Sequence, residues 1–167
     1  MIVEDGSIVP NANSLCSVAF ADAFLSDINS TEWALLLTAA KESALINATL
    51  YLESQYIGKW DGTIVRNDQP LSHPRIGLSI DGRFILSSIV HNTVQQAVSL
   101  LALYKATGTE LAGNTGRVEK SVKIGVLQFD YEPGQKDKTT FTLVEGLLSP
   151  LIKSGGGGGA NSMKVVR

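Results

Sequence analysis

The chain has 167 residues, of which 44% are hydrophobic and 18% are charged, and its formal net charge is −2. This length favours one domain, and the charge balance argues against a strongly basic nucleic-acid binder and against an acid-rich disordered chain. Cys16 is the only cysteine, so an internal disulfide is excluded. The cysteine content therefore does not indicate whether the protein works in an oxidising or a reducing compartment. We expect no signal peptide, because the N-terminal residues do not form a basic region followed by an apolar core. We expect no membrane partner, because the sequence contains no apolar run long enough to span a bilayer.

The N-terminal segment, residues 1–16, is predicted to be an extended arm. Its apolar residues are interrupted by Asp5-Gly6, a turn signal, and a second turn cluster begins at Pro10. Glu4 and Asp5 are interpreted as part of a solvated turn. The arm leads into a first helix at residues 18–25.

Two short helices are predicted after the arm. Ser17 is expected to cap the first, with Asp22 pointing away from a face that carries Phe20, Ala23 and Phe24. The second spans residues 31–37 and carries Trp33 and Leu36.

Residues 37–56 form the clearest helix in the sequence, with Thr38 as the expected cap. Its apolar positions recur at helical spacing: Leu37, Ala44, Leu45, Ala48, Leu52 and Tyr56. A second long helix is predicted at residues 89–107. From Ala97 onward it is hydrophobic nearly all round, so this half should be deeply buried or shared with a neighbouring subunit.

The segment between the long helices, residues 59–88, has poor periodicity. Short apolar pieces flank Asp81-Gly82 as in a small hairpin. A loop of this length is either a binding loop or a packed surface excursion, and the sequence leaves both open.

Residues 118–132 carry the main β signal, a predicted ribbon whose apolar face switches between Val126 and Leu127. A two-residue period cannot slip without a turn or bulge, so this is either a tight hairpin or one continuous ribbon that contacts two layers. A last helix follows at residues 141–148, limited by Pro150.

The predicted fold is mainly α: a small helical bundle with a β ribbon or hairpin, an extended N-terminal arm and a glycine-tethered C-terminal tail. Five consecutive glycines at residues 155–159 are typical of a flexible tether. We therefore divide the chain into a helical domain, residues 1–153, and a tether with a docking tail, residues 154–167.

The sequence shows no catalytic constellation, so we expect no enzyme, no metal and no cofactor. His73 and His91 are interpreted as structural. A combination typical of single-strand stacking platforms is nevertheless present: Tyr51, Tyr56, Lys59, Trp60 and Arg66. Against it, the overall charge is acidic, and the two tyrosines also fit as packing residues.

The arm, the β ribbon, the apolar end of the second long helix and the tethered tail could each contact another subunit or another protein. This combination favours a structural oligomer. The ribbon residues expected at a subunit or distal-partner interface are Val122, Ile124, Leu127, Phe129 and Tyr131. Short tails on glycine tethers are typical of docking peptides.

The chain also resembles a family of tailed-phage head–tail connector (adaptor) proteins that are often labelled DnaT-like single-stranded DNA-binding. The residues that carry the resemblance are 1–6, 12–14, 21–24, Trp33, Lys41, 44–46, 48–49, 51–52, Trp60, Gly62, 68–69, 74–75, 81–82, 147–148 and 165–167. His73 departs from the pattern, since an aromatic such as tryptophan is expected before Pro74-Arg75.

The resemblance implies a dodecameric ring in the virion neck, assembled in the host cytoplasm, that docks on the portal and receives a stopper or tail-completion protein. Double-stranded DNA would pass through its lumen without specific binding. The tail residues implied in portal docking are Ser162, Met163, Lys164, Val165, Val166 and Arg167. The alternative function is single-stranded DNA binding, which predicts affinity that falls steeply with salt.

Overall fold

The computed structural model describes residues 1–109, 111, 121–124, 127–130 and 141–153. Its helices are α1 (Val18–Asp27), α2 (Thr31–Ala34), α3 (Thr38–Tyr56), α4 (Asn92–Ala106) and α5 (Thr142–Leu148), followed by a 3₁₀ helix at Ser149–Leu151. Its strands are β1 (Thr63–Ile64), β2 (Arg75–Ile76), β3 (Ser79–Ile80), β4 (Arg83–Phe84), β5 (Ser121–Ile124) and β6 (Leu127–Asp130). The predicted mainly α fold with a β hairpin is confirmed. No helix in these ranges is both long and apolar enough to cross a bilayer.

Helix α4 lies at the centre of the domain, where it contacts α1, α2, α3 and α5. Its consecutive residues 97–102 are all buried. A helix surrounded by partners can be apolar on every side, which explains why the sequence loses its one-sided pattern there. Of the two predicted environments for this half of the helix, deep burial within the chain is confirmed.

Helix α3 begins one residue later than expected. Leu37 is its N-cap residue, makes no side-chain capping bond and is 80% exposed, so the predicted cap at Thr38 and the buried position of Leu37 are both wrong. Leu37 precedes the first helical turn, and its side chain therefore does not follow the helical stripe. The rest of the predicted face is confirmed by the burial of Ala44, Leu45, Ala48 and Leu52.

Helix α1 is capped as predicted, since the Ser17 side chain accepts a hydrogen bond from the backbone N–H of Phe20. The buried face, however, is offset from the predicted one and consists of Ala21 and Leu25. Asp22 does not point away. Its Oδ1 accepts hydrogen bonds from the Trp33 indole at 2.7 Å and from Lys41 Nζ at 2.9 Å. These two donors hold the carboxylate against the neighbouring helices.

The N-terminal segment contains no helix or named strand, but it folds against the domain, with a parallel bridge between Val3 and Ser14. Glu4 is only 2% exposed, so its predicted place in a solvated turn is wrong. Its Oε1 accepts from the backbone N–H groups of Gly6 and Ile8, and its Oε2 accepts from Val9. The carboxylate thus satisfies donors that have no secondary-structure partner.

The long segment between α3 and α4 folds into two antiparallel pairs, β1 with β2 and β3 with β4. The predicted hairpin at Asp81-Gly82 is confirmed, and both residues have positive φ angles, as a two-residue hairpin turn requires. Within this segment Trp60, His73 and Leu78 are buried. These residues make the segment a packed part of the domain.

Strands β5 and β6 form an antiparallel hairpin in which Val122 pairs with Phe129 and Ile124 pairs with Leu127. Of the two predicted forms, the tight hairpin is therefore correct, and the two apolar patterns belong to two paired strands. Tyr131 and residues 154–167, including the predicted docking residues 162–167, lie outside the described residues. The interface and domain assignments of these segments stay predictions.

Candidate functional site

A groove lies between the C-terminal half of α3 and the segment that includes α5 and the 3₁₀ helix. Its volume is about 320 Å³, at the small end of ligand sites in proteins. Its lining combines aromatic, cationic and amide side chains with one carboxylate: Tyr51, Gln55, Tyr56, Lys59, Glu145, Ser149, Ile152 and Lys153. This mixture suits a planar, charged ligand.

Both tyrosines of the groove rest on other aromatic rings. The Tyr51 ring meets Phe141 nearly edge-on at 5.7 Å between centroids, and Phe141 stacks on Tyr104 at 5.3 Å. The Tyr56 ring lies 5.3 Å from that of Trp60. Because these supports belong to the core or pack against it, both half-buried tyrosines are held in place rather than free to turn.

Two lysines face each other across the edge of the groove. Trp60 and Ile152 form an antiparallel bridge, and the N–H of Lys153 donates to the carbonyl of Lys59 at 2.9 Å. This register places Lys59 directly opposite Lys153, and both are exposed. Like charges directly opposite each other on paired strands are destabilising.

Neither lysine has an ion-pair partner among the described residues. Lys59 instead places its Nζ 5.6 Å from the centre of the Tyr56 ring. An anion in the groove could be attracted by both ammonium groups. The pair therefore favours a negatively charged ligand.

Among the described residues, Glu145 is the only carboxylate that lines the groove. Burial raises the pKa of Tyr51, and the negative charge of Glu145 raises it further. Burial likewise raises the pKa of Tyr56, followed by the effects of Glu145 and Tyr51. Both phenols therefore keep their protons at neutral pH and can act as hydrogen-bond donors.

Three of the five aromatic and basic residues singled out in the sequence come together in the groove, namely Tyr51, Tyr56 and Lys59. Trp60 does not belong with them as a stacking surface, because it is only 2% exposed and lies beneath Tyr56. Arg66 does not line the groove and pairs in bidentate fashion with Asp68, at 2.9 and 2.6 Å.

Sequence reasoning missed the groove residues contributed by the C-terminal part of the domain. Lys153 and Glu145 lie almost a hundred residues along the chain from α3, and no periodicity links them to it. Only the bridge between Trp60 and Ile152 brings Lys153 opposite Lys59. No local sequence signal could have found this pair.

The histidines and the cysteine lie elsewhere. His91 is the N-cap of α4 and accepts from the backbone N–H of Thr93, while His73 is 1% exposed. Burial raises the pKa of the Cys16 thiol to about 11. Within the described ranges, no three His, Cys, Asp or Glu side chains gather as a metal site would require.

Residues 1–167 match the model of a family described as "Putative DnaT-like ssDNA binding protein". The chain belongs to this family. A search of curated proteins and a search of solved structures each gave no match.

Membership of this family corrects the expected function. The portal-docked connector ring is the wrong choice of the two functions considered, because the family description names single-stranded DNA binding and gives no support to a connector. The family therefore supports the alternative. The portal and stopper partners and the place in the virion neck were consequences of the connector hypothesis.

Proposed function

We propose that this member of the DnaT-like family binds single-stranded DNA, and that the groove between α3 and the 3₁₀ helix is its binding site. The family match over residues 1–167 carries the proposal. The groove supplies the two kinds of contact that non-specific single-strand binding needs, which are aromatic rings for bases and cations for phosphates.

The base contacts are assigned to Tyr56 and Tyr51. Both are half-buried and both line the groove, so each offers part of its ring to a ligand. Their supporting rings, Trp60 and Phe141, keep them ordered before binding, which reduces the entropy lost when a base stacks. Stacking of this kind contributes about 1–3 kcal/mol per base.

The phosphate contacts are assigned to Lys59 and Lys153. The two residues are paired through their backbones, both side chains line the groove, and neither has a carboxylate partner in the described part of the chain. A phosphate bound in the groove would be attracted by both lysines. The acidic net charge of −2 does not prevent this, because surface charges beyond about 10 Å are largely screened at ordinary salt.

The test is fluorescence anisotropy with a labelled single strand of about 12 nucleotides over a range of salt concentrations. We expect wild-type affinity to fall with salt and duplex of the same sequence to compete poorly, since paired bases cannot stack on tyrosine. Lys59→Gln and Lys153→Gln should each weaken binding and reduce the slope of log K against log salt by about 0.7.

Arg83→Gln is the matched control. Arg83 is exposed, lies on the β3–β4 hairpin outside the groove and has no ion-pair partner among the described residues. Its loss removes the same charge without touching the proposed site. The proposal is overturned if the wild type shows no salt-dependent binding, or if Arg83→Gln weakens binding as much as the two groove variants do.

A further inference from the structure

We infer that Glu145 gives the groove a preference for bases that present an amino group, and hence for cytosine over thymine. The inference rests on the proposed single-stranded DNA binding and assigns the specificity-determining residue of the same site. It starts from a feature that phosphate binding does not explain. The groove that contains Lys59 and Lys153, the proposed phosphate contacts, also contains the carboxylate of Glu145.

The backbone of Glu145 is held in a helix, while its side chain is exposed. It lies in the first turn of α5, where its N–H donates to the carbonyl of Phe141 at 2.8 Å. Phe141 is buried and supports the Tyr51 ring. The same aromatic residue therefore anchors both the proposed stacking ring and the turn that carries the carboxylate.

The carboxylate has no hydrogen-bond or ion-pair partner within the described residues, although Lys59 and Lys153 line the same groove. It lines the groove together with both tyrosines, and its negative charge adds to the effect of burial in raising their pKa values. A base stacked on either tyrosine would consequently present its edge to Glu145.

An ionised carboxylate can only accept hydrogen bonds. Cytosine offers it the N4 amino group, and acidic side chains accept from this group in known base recognition. Thymine has a carbonyl oxygen, O4, at the same position. Its one donor on this edge, N3–H, lies between two carbonyl oxygens whose lone pairs would also approach the negative charge. Gln55 and Ser149, which also line the groove, can each donate as well as accept and do not impose this choice.

Cytosine and thymine make the sharpest comparison, because both are pyrimidines and they differ in the group at position 4 that would face Glu145. Strands of deoxycytidine and of deoxythymidine, equal in length and label, should differ in affinity by about tenfold, the discrimination expected of one such contact. The neutral variant Glu145→Gln should bind both strands more tightly, because a repulsion with phosphate is lost. Its amide can donate to O4 of thymine, so the difference between the strands should fall below about threefold.

Glu32→Gln is the control, since Glu32 is an exposed glutamate on α2 that does not line the groove. It should keep the wild-type preference. Equal binding of both strands by the wild type, or an unchanged preference in Glu145→Gln, would overturn the role of Glu145 while leaving single-stranded DNA binding in place. Absence of binding to either strand would overturn the proposed function and this inference together.

Discussion

The rings of Trp60 and His73 meet at right angles, with 4.6 Å between their centroids, and both are almost fully buried. On its other side, Trp60 supports the Tyr56 ring. His73 Nδ1 lies 3.1 Å from the Ser72 hydroxyl, and that hydroxyl donates to Glu53 on α3 at 2.7 Å. Trp60 therefore links the packed segment between α3 and α4 to the groove without reaching the groove itself.

This arrangement predicts opposite behaviour for two neighbouring aromatics. Trp60→Ala should lower the free energy of unfolding by about 3–5 kcal/mol, as expected for a buried tryptophan. Trp60→Phe keeps an aromatic ring under Tyr56 and should retain DNA affinity once folded. Tyr56→Ala should weaken DNA binding by about tenfold or more, since a stacking ring is lost, and should destabilise the fold less than Trp60→Ala does. Urea unfolding and anisotropy titration measure the two quantities separately.

The opposite pattern would contradict the assignment. If Tyr56→Ala kept the wild-type DNA affinity while folded Trp60→Phe lost it, the assignment of Tyr56 as the stacking ring would be wrong. A thermal melt of each variant before titration ensures that only folded protein is compared.

Local patterns sufficed where the physical cause was local. The cap at Ser17, the buried stripe of α3 and the turn at Asp81-Gly82 each depend on a few adjacent residues, and all three were predicted. The site depended on contacts between distant segments. Tyr56 and Lys59 were recognised as candidates, but their partner Lys153 and the burial of Trp60 follow from the bridge between Trp60 and Ile152.

Glu4 shows a different reason for failure. Its neighbours are polar and glycine-containing, and this composition is usual for an exposed turn. Its carboxylate is buried because it accepts hydrogen bonds from three backbone N–H groups that have no partner in a helix or strand. The sequence alone does not show which backbone N–H groups lack such a partner, because this depends on the path of the backbone.

Glu4→Gln tests this role with almost no change in shape. In the variant, the amide NH₂ would face a backbone N–H that donates to the carboxylate in the wild type, so two donors would oppose each other. The remaining hydrogen bonds would no longer be made to a charged acceptor. We expect the free energy of unfolding to fall by about 1–3 kcal/mol. The midpoint of urea unfolding measures the change.

Asp5→Asn provides the comparison, because Asp5 is exposed and accepts one bond from the N–H of Ser7. It should shift the midpoint of urea unfolding much less than Glu4→Gln does. Equal effects of the two substitutions would mean that the bonds to Glu4 contribute no more than an exposed turn does.

His73 makes the stability of the protein depend on pH. Burial lowers the pKa of its imidazole to about 3, with smaller contributions from the charges of Arg75 and His91. In the unfolded chain the imidazole titrates near its ordinary value of 6.5. Between these two values the unfolded state binds the extra proton, so the stability present above about pH 6.5 is lost as pH falls towards about 3, with a limiting slope of about 1.4 kcal/mol per pH unit.

Glu53 acts in the other direction. Burial raises the pKa of its carboxyl, against the lowering effects of its bonds to Ser72 and of the charge of Arg75. Its contribution favours the folded state at low pH and diminishes as pH rises through the raised pKa. Glu53 is retained in the His73 variant, so comparison of that variant with the wild type isolates the imidazole.

We therefore expect His73→Gln to lose less stability than the wild type when unfolding is measured at about pH 7 and again at about pH 5, whatever its absolute stability. His91→Asn is the control, since asparagine preserves an N-cap acceptor for α4 and the pKa of the half-buried His91 is lowered only by its burial. It should change the difference between the two pH values less than His73→Gln does. If His73→Gln retained the full wild-type difference, the proton taken up on unfolding would belong to another group, because a neutral amide at position 73 cannot bind it.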